Sequence, residues 1–157
     1  MALQLAIFDF NRTLFETESR AFYDGALELL KELRSRDVKL ALWTRDERGQ
    51  TELQQREGIA ELFDYMHVSP VKDADSLRGI AEHLSVPLKH VVVVTDPVRV
   101  DLAAANEAGV TVLSIRQGKF ATDIPYAPEE TPTIEVSDIA GVRDVLMELL
   151  DGPASDK

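Results

Sequence analysis

Four consecutive valines, Val91 to Val94, run into Thr95 and Asp96 with no polar residue among them. A strand with one solvated face alternates apolar and polar side chains. An unbroken β-branched run instead fits a strand covered on both faces, as in a parallel sheet layered between helices. The rest of the chain supplies the matching pieces in alternation. Leu3 to Phe8 is a short apolar run that ends at Asp9. Ala26, Leu27, Leu30 and Leu33 then recur at helical spacing behind Asp24, which is placed to cap that helix. Val38 to Trp43 reads as a second strand followed by Thr44, and Glu47 to Glu57 as a polar helix stopped by Gly58. Tyr65 to Val68 is a third strand. Ser76 to Leu84 is an amphipathic helix through Leu77, Ile80, Ala81 and Leu84, with Pro87 beyond its end. Val91 to Thr95 is the fourth strand, Val98 to Ala108 a helix stopped by Gly109, and Val110 to Ile115 the fifth strand. Residues 117–136 carry Pro125, Pro128 and Pro132 and read as loop, after which Ser137 caps a last helix bearing Ile139, Val142, Val145, Leu146 and Leu149.

Strands that alternate with helices connect by right-handed crossovers, which predicts an α/β fold: a doubly wound, three-layer, five-stranded parallel sheet. Residues 1–150 are expected to form one domain and residues 151–157 a frayed tail. With 157 residues and 45% hydrophobic content the chain is long enough for a proper core. The absence of cysteine excludes a disulfide framework and any thiolate metal or redox site. No apolar run approaches the roughly 18 residues of a membrane span. The first residues have no basic region and reach Asp9 early, unlike a secretory leader, so a cytoplasmic protein is expected. A net charge of −11 argues against non-specific binding of nucleic acid, and no membrane partner is expected.

Ligands of doubly wound sheets bind beyond the carboxyl ends of the strands, where the strand order reverses. The residues at those ends are Asp9, Thr44, Lys72 shortly after the third strand, and Asp96, with Asp101 five residues further on. Carboxylate oxygens suit Mg²⁺, while an ammonium and a hydroxyl can hold phosphate oxygens. A carboxylate beside a metal can also act as a nucleophile and form an acyl phosphate. Taken singly, each residue has a plainer explanation. An Asp after a strand is often a turn former, Thr44 could cap the next helix, and Lys72 or Asp101 could be surface charge. Their occurrence together, in order, after four of the five strands is what points to a phosphoryl site with a divalent cation. His67, His83 and His90 have no ligand-like spacing and read as structural or surface residues.

The segment Phe8-Asp9-Phe10-Asn11-Arg12-Thr13-Leu14 resembles the first motif of the haloacid dehalogenase (HAD) superfamily, whose phosphatases carry Asp-x-Asp-x-Thr there. Thr44 resembles the second motif, Lys72 in Val71-Lys72-Asp73-Ala74-Asp75-Ser76-Leu77 the third, and Thr95-Asp96 with Asp101 the fourth. The resemblance spans about residues 3–150. It implies the strand order 5-4-1-2-3, strands numbered along the chain, and a Rossmann-like HAD sheet. It further implies Asp9 as nucleophile, and Thr44, Lys72 and Arg45 on the phosphoryl group. Mg²⁺ would be held by Asp9, the carbonyl of Asn11 and Asp96, with Asp101 in support. Arg12 to Tyr23 would form the loop and flap. Only about ten residues separate Thr13 from Asp24, so no large cap is expected. The expected partner is a phosphorylated small molecule or a macromolecular phosphoester, and an open site suits a bulky substrate or closure by a second copy in a homo-oligomer. Arg12, Arg45, Arg99, Arg116 and Lys119 fall near the same edge and could attract anions.

One residue departs from the pattern. The family's phosphatases have a second Asp two residues after the nucleophile, which serves as general acid and then base; here the position is Asn11. An amide cannot give and reclaim a proton at neutral pH. The resemblance therefore implies phosphate monoester hydrolysis through an aspartyl-phosphate on Asp9, slowed by Asn11. Other chemistry on the same scaffold, or a non-catalytic phosphate- or partner-binding relative, are the alternatives. Response-regulator receivers share a similar sheet and residue set, but they place the lysine last and an acidic pair after the first strand, unlike this chain.

Overall fold

The computed structural model describes residues 2–10, 12–16, 19, 21–45, 60–96, 99–116, 128 and 132–151. In chain order the elements are β1 (Leu5–Phe8), β2 (Phe15–Glu16), β3 (Ala21–Phe22), α1 (Ala26–Ser35), β4 (Lys39–Thr44), β5 (Tyr65–Val68), α2 (Ala74–His83), β6 (Val91–Thr95), α3 (Arg99–Ala108), β7 (Thr111–Ile115), β8 (Ile134–Val136) and α4 (Ile139–Asp151). The helix expected over Glu47 to Glu57 lies outside the described residues.

The main sheet runs β5-β4-β1-β6-β7-β8 and every neighbouring pair is parallel. The five expected strands take the expected order, but the sheet has six. The sixth, β8, arises inside the proline-bearing stretch read as loop. It is three residues long, pairs Leu113 with Ile134 at the sheet's edge, and is too short to show a pattern of its own. The segment expected as a flap carries a small antiparallel hairpin, β2 against β3.

The valine run behaves as its composition demands. Val92 and Val94 point into one core with Phe8, Leu30, Leu40, Leu42, Val142 and Leu146, beneath α1 and α4. Val91 and Val93 point into the other with Leu5, Ile7, Trp43, Leu77, Leu102 and Ala105, beneath α2 and α3. All four valines are completely buried, so neither face of the sheet's centre can take a polar substitution without a partner.

The helix starts differ in detail from the expected caps. Asp24 does not cap α1. The chain enters that helix through Gly25 at φ +85°, a left-handed turn that a residue without Cβ adopts freely, and the Ala26 N–H donates to the Tyr23 carbonyl. Helix α2 starts two residues earlier than its apolar spacing suggests. The Asp73 carboxylate accepts from the Ser76 N–H, and the Ser76 hydroxyl accepts from the Asp73 N–H, a reciprocal cap. Asp138, not Ser137, caps α4 by accepting from the Gly141 N–H at 2.8 Å.

Asp64 closes the first rung between β4 and β5. Its N–H donates to the Leu40 carbonyl, its Oδ2 accepts from the Leu40 N–H at 2.8 Å, and Arg34 holds its Oδ1 at 2.6 Å. Burial alone would raise the Asp64 pKa, but Arg34 and the Leu40 N–H outweigh it, and the net direction is down. A carboxylate depressed in the native state stabilises above its unfolded pKa and loses that contribution as pH falls through the native value. Asp64→Ala is expected to cost about 1–2 kcal/mol at pH 7. The deficit should shrink steadily below about pH 4, near the ordinary aspartate pKa, in denaturant titrations across pH. A deficit independent of pH would show that the charge contributes nothing.

Candidate active site

Asp9 directly follows β1, where its N–H donates to the Val94 carbonyl and holds the residue level with the end of β6. The chain then turns sharply. The N–H groups of Leu14 and Phe15 both donate to the Phe10 carbonyl, and Arg12 adopts φ +60°. Phe10 stacks on Phe15 with ring centroids 4.9 Å apart, and Phe22 meets both edge-on. This aromatic cluster seats the β2–β3 hairpin beside Asp9 and returns the buried Thr13 hydroxyl to Asp9 Oδ2 at 3.4 Å.

Lys72 reaches the same point from the loop between β5 and α2. Its side chain is only 3% exposed, and its ammonium donates to Asp9 Oδ1 at 3.1 Å and Asp101 Oδ2 at 2.8 Å. Asp101 lies in the first turn of α3 and also accepts from the Thr95 hydroxyl at 3.0 Å. Asp96 follows β6, is 2% exposed, and its Oδ1 has no hydrogen-bond partner among the described residues. Arg45 stands at the rim, half-exposed, with Nη2 3.8 Å from Asp101 Oδ1. Four of the expected site residues, Asp9, Lys72, Asp96 and Asp101, are thus brought together, and Arg45 touches their edge. Thr44 is buried at the end of β4 but makes no hydrogen bond to this group among the described residues. Asn11 lies outside the described residues, as do Lys119 and the side chain of Arg99. Arg116 pairs with Glu135 at 2.5 Å. The histidines stay out of it: His83 packs against the Tyr65 ring, and His67 is 3.4 Å from the Val71 carbonyl.

Charge is unbalanced at this point. Among the described residues, three buried carboxylates face one buried ammonium. Burial pushes the Asp96 carboxyl up to about 8, and the neighbouring Asp9 and Asp101 carboxylates push the same way. Burial works against the charged form of Lys72 too, but Asp9 and Asp101 outweigh it, so the amine is held charged more firmly than a free lysine. Asp9, Asp96 and Asp101 each offer an oxygen, and these atoms lie within 4.8 Å of one another. An all-oxygen, anionic donor set in which Asp96 Oδ1 and Asp101 Oδ1 are both buried without a hydrogen bond among the described residues fits a hard divalent cation such as Mg²⁺.

The haloacid dehalogenase-like hydrolase family matches residues 6–115, which carry this whole cluster. The chain belongs to that family. Solved structures agree with the fold at low sequence identity. A HAD-superfamily hydrolase from Ehrlichia chaffeensis superposes with a TM-score of 0.74 at 15% identity, over 96% of this chain and 99% of that one. A predicted phosphatase from Clostridium acetobutylicum gives 0.74 at 13%, over 94% and 100%. The L-2-haloacid dehalogenase from Xanthobacter autotrophicus, with chloropropionic acid covalently bound, gives 0.72 at 15%, over 92% and 98%. No curated protein matches the sequence.

Three further side chains touch the cluster: Thr13, Thr95 and Trp43, whose ring centroid lies 4.1 Å from Lys72 Nζ. In the sequence, the signal for Thr13 and Thr95 is a hydroxyl inside the first and fourth motifs, four to six residues from the site carboxylate each one meets. Trp43, immediately before Thr44, looks like core from its apolar character.

Lys72→Met removes the buried ammonium that faces three carboxylates. In the presence of a chelator it is expected to destabilise the fold by about 3 kcal/mol, as breaking a buried pair does. Millimolar Mg²⁺ should recover a large part of that loss by binding the native state. Thermal unfolding with EDTA and with Mg²⁺ measures both; an equal loss in the two buffers contradicts the electrostatic account.

Proposed function

We propose that this HAD-family chain is a Mg²⁺-dependent phosphate monoester hydrolase with Asp9 as its nucleophile. The observation that carries the reading is the convergence of Asp9 with Lys72, Asp96 and Asp101 in one buried cluster at the sheet's switch point. Mg²⁺ would be held by Asp9, Asp96 and the carbonyl of residue 11, with Asp101 behind them, and when bound it neutralises charge on the transferring phosphoryl group.

Asp9 attacks phosphorus with a carboxylate oxygen, an Asp9–phosphorus bond forms, and the ester oxygen leaves. Water then attacks phosphorus, releases orthophosphate and restores the carboxylate. Lys72 serves both steps: held cationic by Asp9 and Asp101, it faces the added negative charge of the phosphoryl oxygens. Thr44, at the end of β4, and Arg45, at the rim, supply further donors to those oxygens. Thr13 and Thr95 steady the Asp9 and Asp101 carboxylates. Substrates are phosphorylated small molecules or macromolecular phosphoesters. The two-stranded hairpin is the one described element between β1 and α1, which suits a bulky substrate or closure by a second copy.

Asn11 sets the rate. Without a proton donor the enzyme depends on leaving groups that need little protonation, and without a base the aspartyl-phosphate hydrolyses slowly. Weak turnover of an aryl phosphate, with a phospho-enzyme that accumulates on Asp9, is therefore expected. Asn11→Asp should raise turnover by about 10²–10⁴, the size of a general acid–base contribution. Asp9→Asn should abolish both turnover and labelling. The same Asn11 favours one competing reading, a phosphate-binding relative without catalysis. That reading predicts no label and no gain in Asn11→Asp while orthophosphate still binds, and such a result would replace the hydrolase assignment.

A further inference from the structure

Trp43 is fully buried one residue before the end of β4, on the face covered by α2 and α3. There its ring meets the lysine of the site: Lys72 Nζ lies 4.1 Å from the ring centroid. A lysine ammonium has three donors and no acceptor. Asp9 and Asp101 take two of them, and among the described residues no third acceptor touches it. The indole is fixed in turn. Its N–H donates to the Ser76 hydroxyl at 2.9 Å. That hydroxyl also accepts from the Asp73 N–H at 3.1 Å and donates to the Asp73 carbonyl at 2.6 Å, so its capacity is used. Asp73 is the residue after Lys72. The start of α2 thus fixes both the backbone that carries the lysine and the plane of the ring beneath its ammonium.

The chemistry of the ring suits this place better than the alternatives. An aliphatic side chain would leave part of a buried ammonium against hydrocarbon. A fourth carboxylate would repel a phosphoryl group and could be drawn onto a cation. An aromatic face attracts the ammonium through its quadrupole and carries no net charge. It keeps that attraction when a phosphoryl group competes with Asp9 for Lys72.

We propose that Trp43 is the positioning residue for Lys72, holding the ammonium by its aromatic face at the point where Asp9, Asp101 and the phosphoryl oxygens meet. This rests on the reading of Lys72 as a phosphoryl-binding group. The chain has one tryptophan, so an analogue incorporated throughout changes this ring alone.

Mono-, di- and tetrafluorotryptophan weaken the face of the ring stepwise while nearly conserving its shape. Calorimetric titration with orthophosphate, in the presence of Mg²⁺, measures the consequence. The dissociation constant is expected to rise with each fluorination, by about three- to thirty-fold over the series, the range that cation–π energies convert to. Trp43→Phe, which keeps an aromatic face, should bind within about threefold of the parent, whereas Trp43→Leu should bind as weakly as the most fluorinated protein. Equal affinity across the fluorinated series, with the parent binding orthophosphate, overturns the role of Trp43 and leaves the site assignment standing. Failure of the parent protein to bind orthophosphate at all overturns the site assignment and this role with it. The fluorinated proteins keep the test open should Trp43→Leu fail to fold.

Discussion

Everything in the site depends on burying one ammonium among three carboxylates. Moving a charge out of water costs several kcal/mol, and an ion pair recovers this only with good geometry and satisfied hydrogen bonds. Lys72 meets the condition: two carboxylates at 3.1 and 2.8 Å and an aromatic face at 4.1 Å surround it. The carboxylates do not. Asp101 has Lys72 and Thr95 on Oδ2 and only the edge of Arg45 near Oδ1, Asp9 has Lys72 and a long contact from Thr13, and among the described residues Asp96 Oδ1 has no hydrogen-bond partner. That excess of negative charge suits a divalent cation, which under the proposed function would neutralise it before an anionic phosphoryl group enters.

The fold supplies the rigidity that such a cluster requires. Asp9 and Asp96 sit at the ends of adjacent parallel strands, β1 and β6, whose register is fixed by Leu5 opposite Val91 through Phe8 opposite Val94. A slip of one residue would exchange the two cores, since Val91 and Val93 face one helix layer and Val92 and Val94 the other. The pairing that buries the valines therefore also sets the two carboxylates side by side. Lys72 and Asp101 come from helix starts, and the reciprocal cap between Asp73 and Ser76 fixes the first of these one residue beyond the lysine.

What could be read in advance follows the same physics. The strands of the sheet's middle announce themselves because double-sided burial leaves unbroken apolar runs, and the charged residues at their ends then stand out. The edge strand β8 is hidden because three residues beside prolines carry no periodicity, and Ile134 and Val136 are only half-buried. Caps were misplaced at Asp24 and Ser137 because residue type favours a cap without fixing it: a left-handed Gly25 and the neighbouring Asp138 do the work instead. Trp43 was invisible as a site residue because its contact with Lys72 spans 29 positions and uses an apolar side chain for an electrostatic purpose. Asn11 is legible only as a departure from a family pattern, and the consequence proposed for it is one of rate.

The central claim is that Asp9 is the phosphoryl acceptor in a site assembled with Mg²⁺. It is tested most directly by a crystal structure of the protein with Mg²⁺ and beryllofluoride, which bonds to carboxylates that accept phosphoryl groups. The account predicts beryllium bonded to an Asp9 oxygen, Mg²⁺ between Asp9 and Asp96, and the Lys72 ammonium within hydrogen-bond distance of a fluorine. Unmodified Asp9 beside a cation bound elsewhere would contradict it.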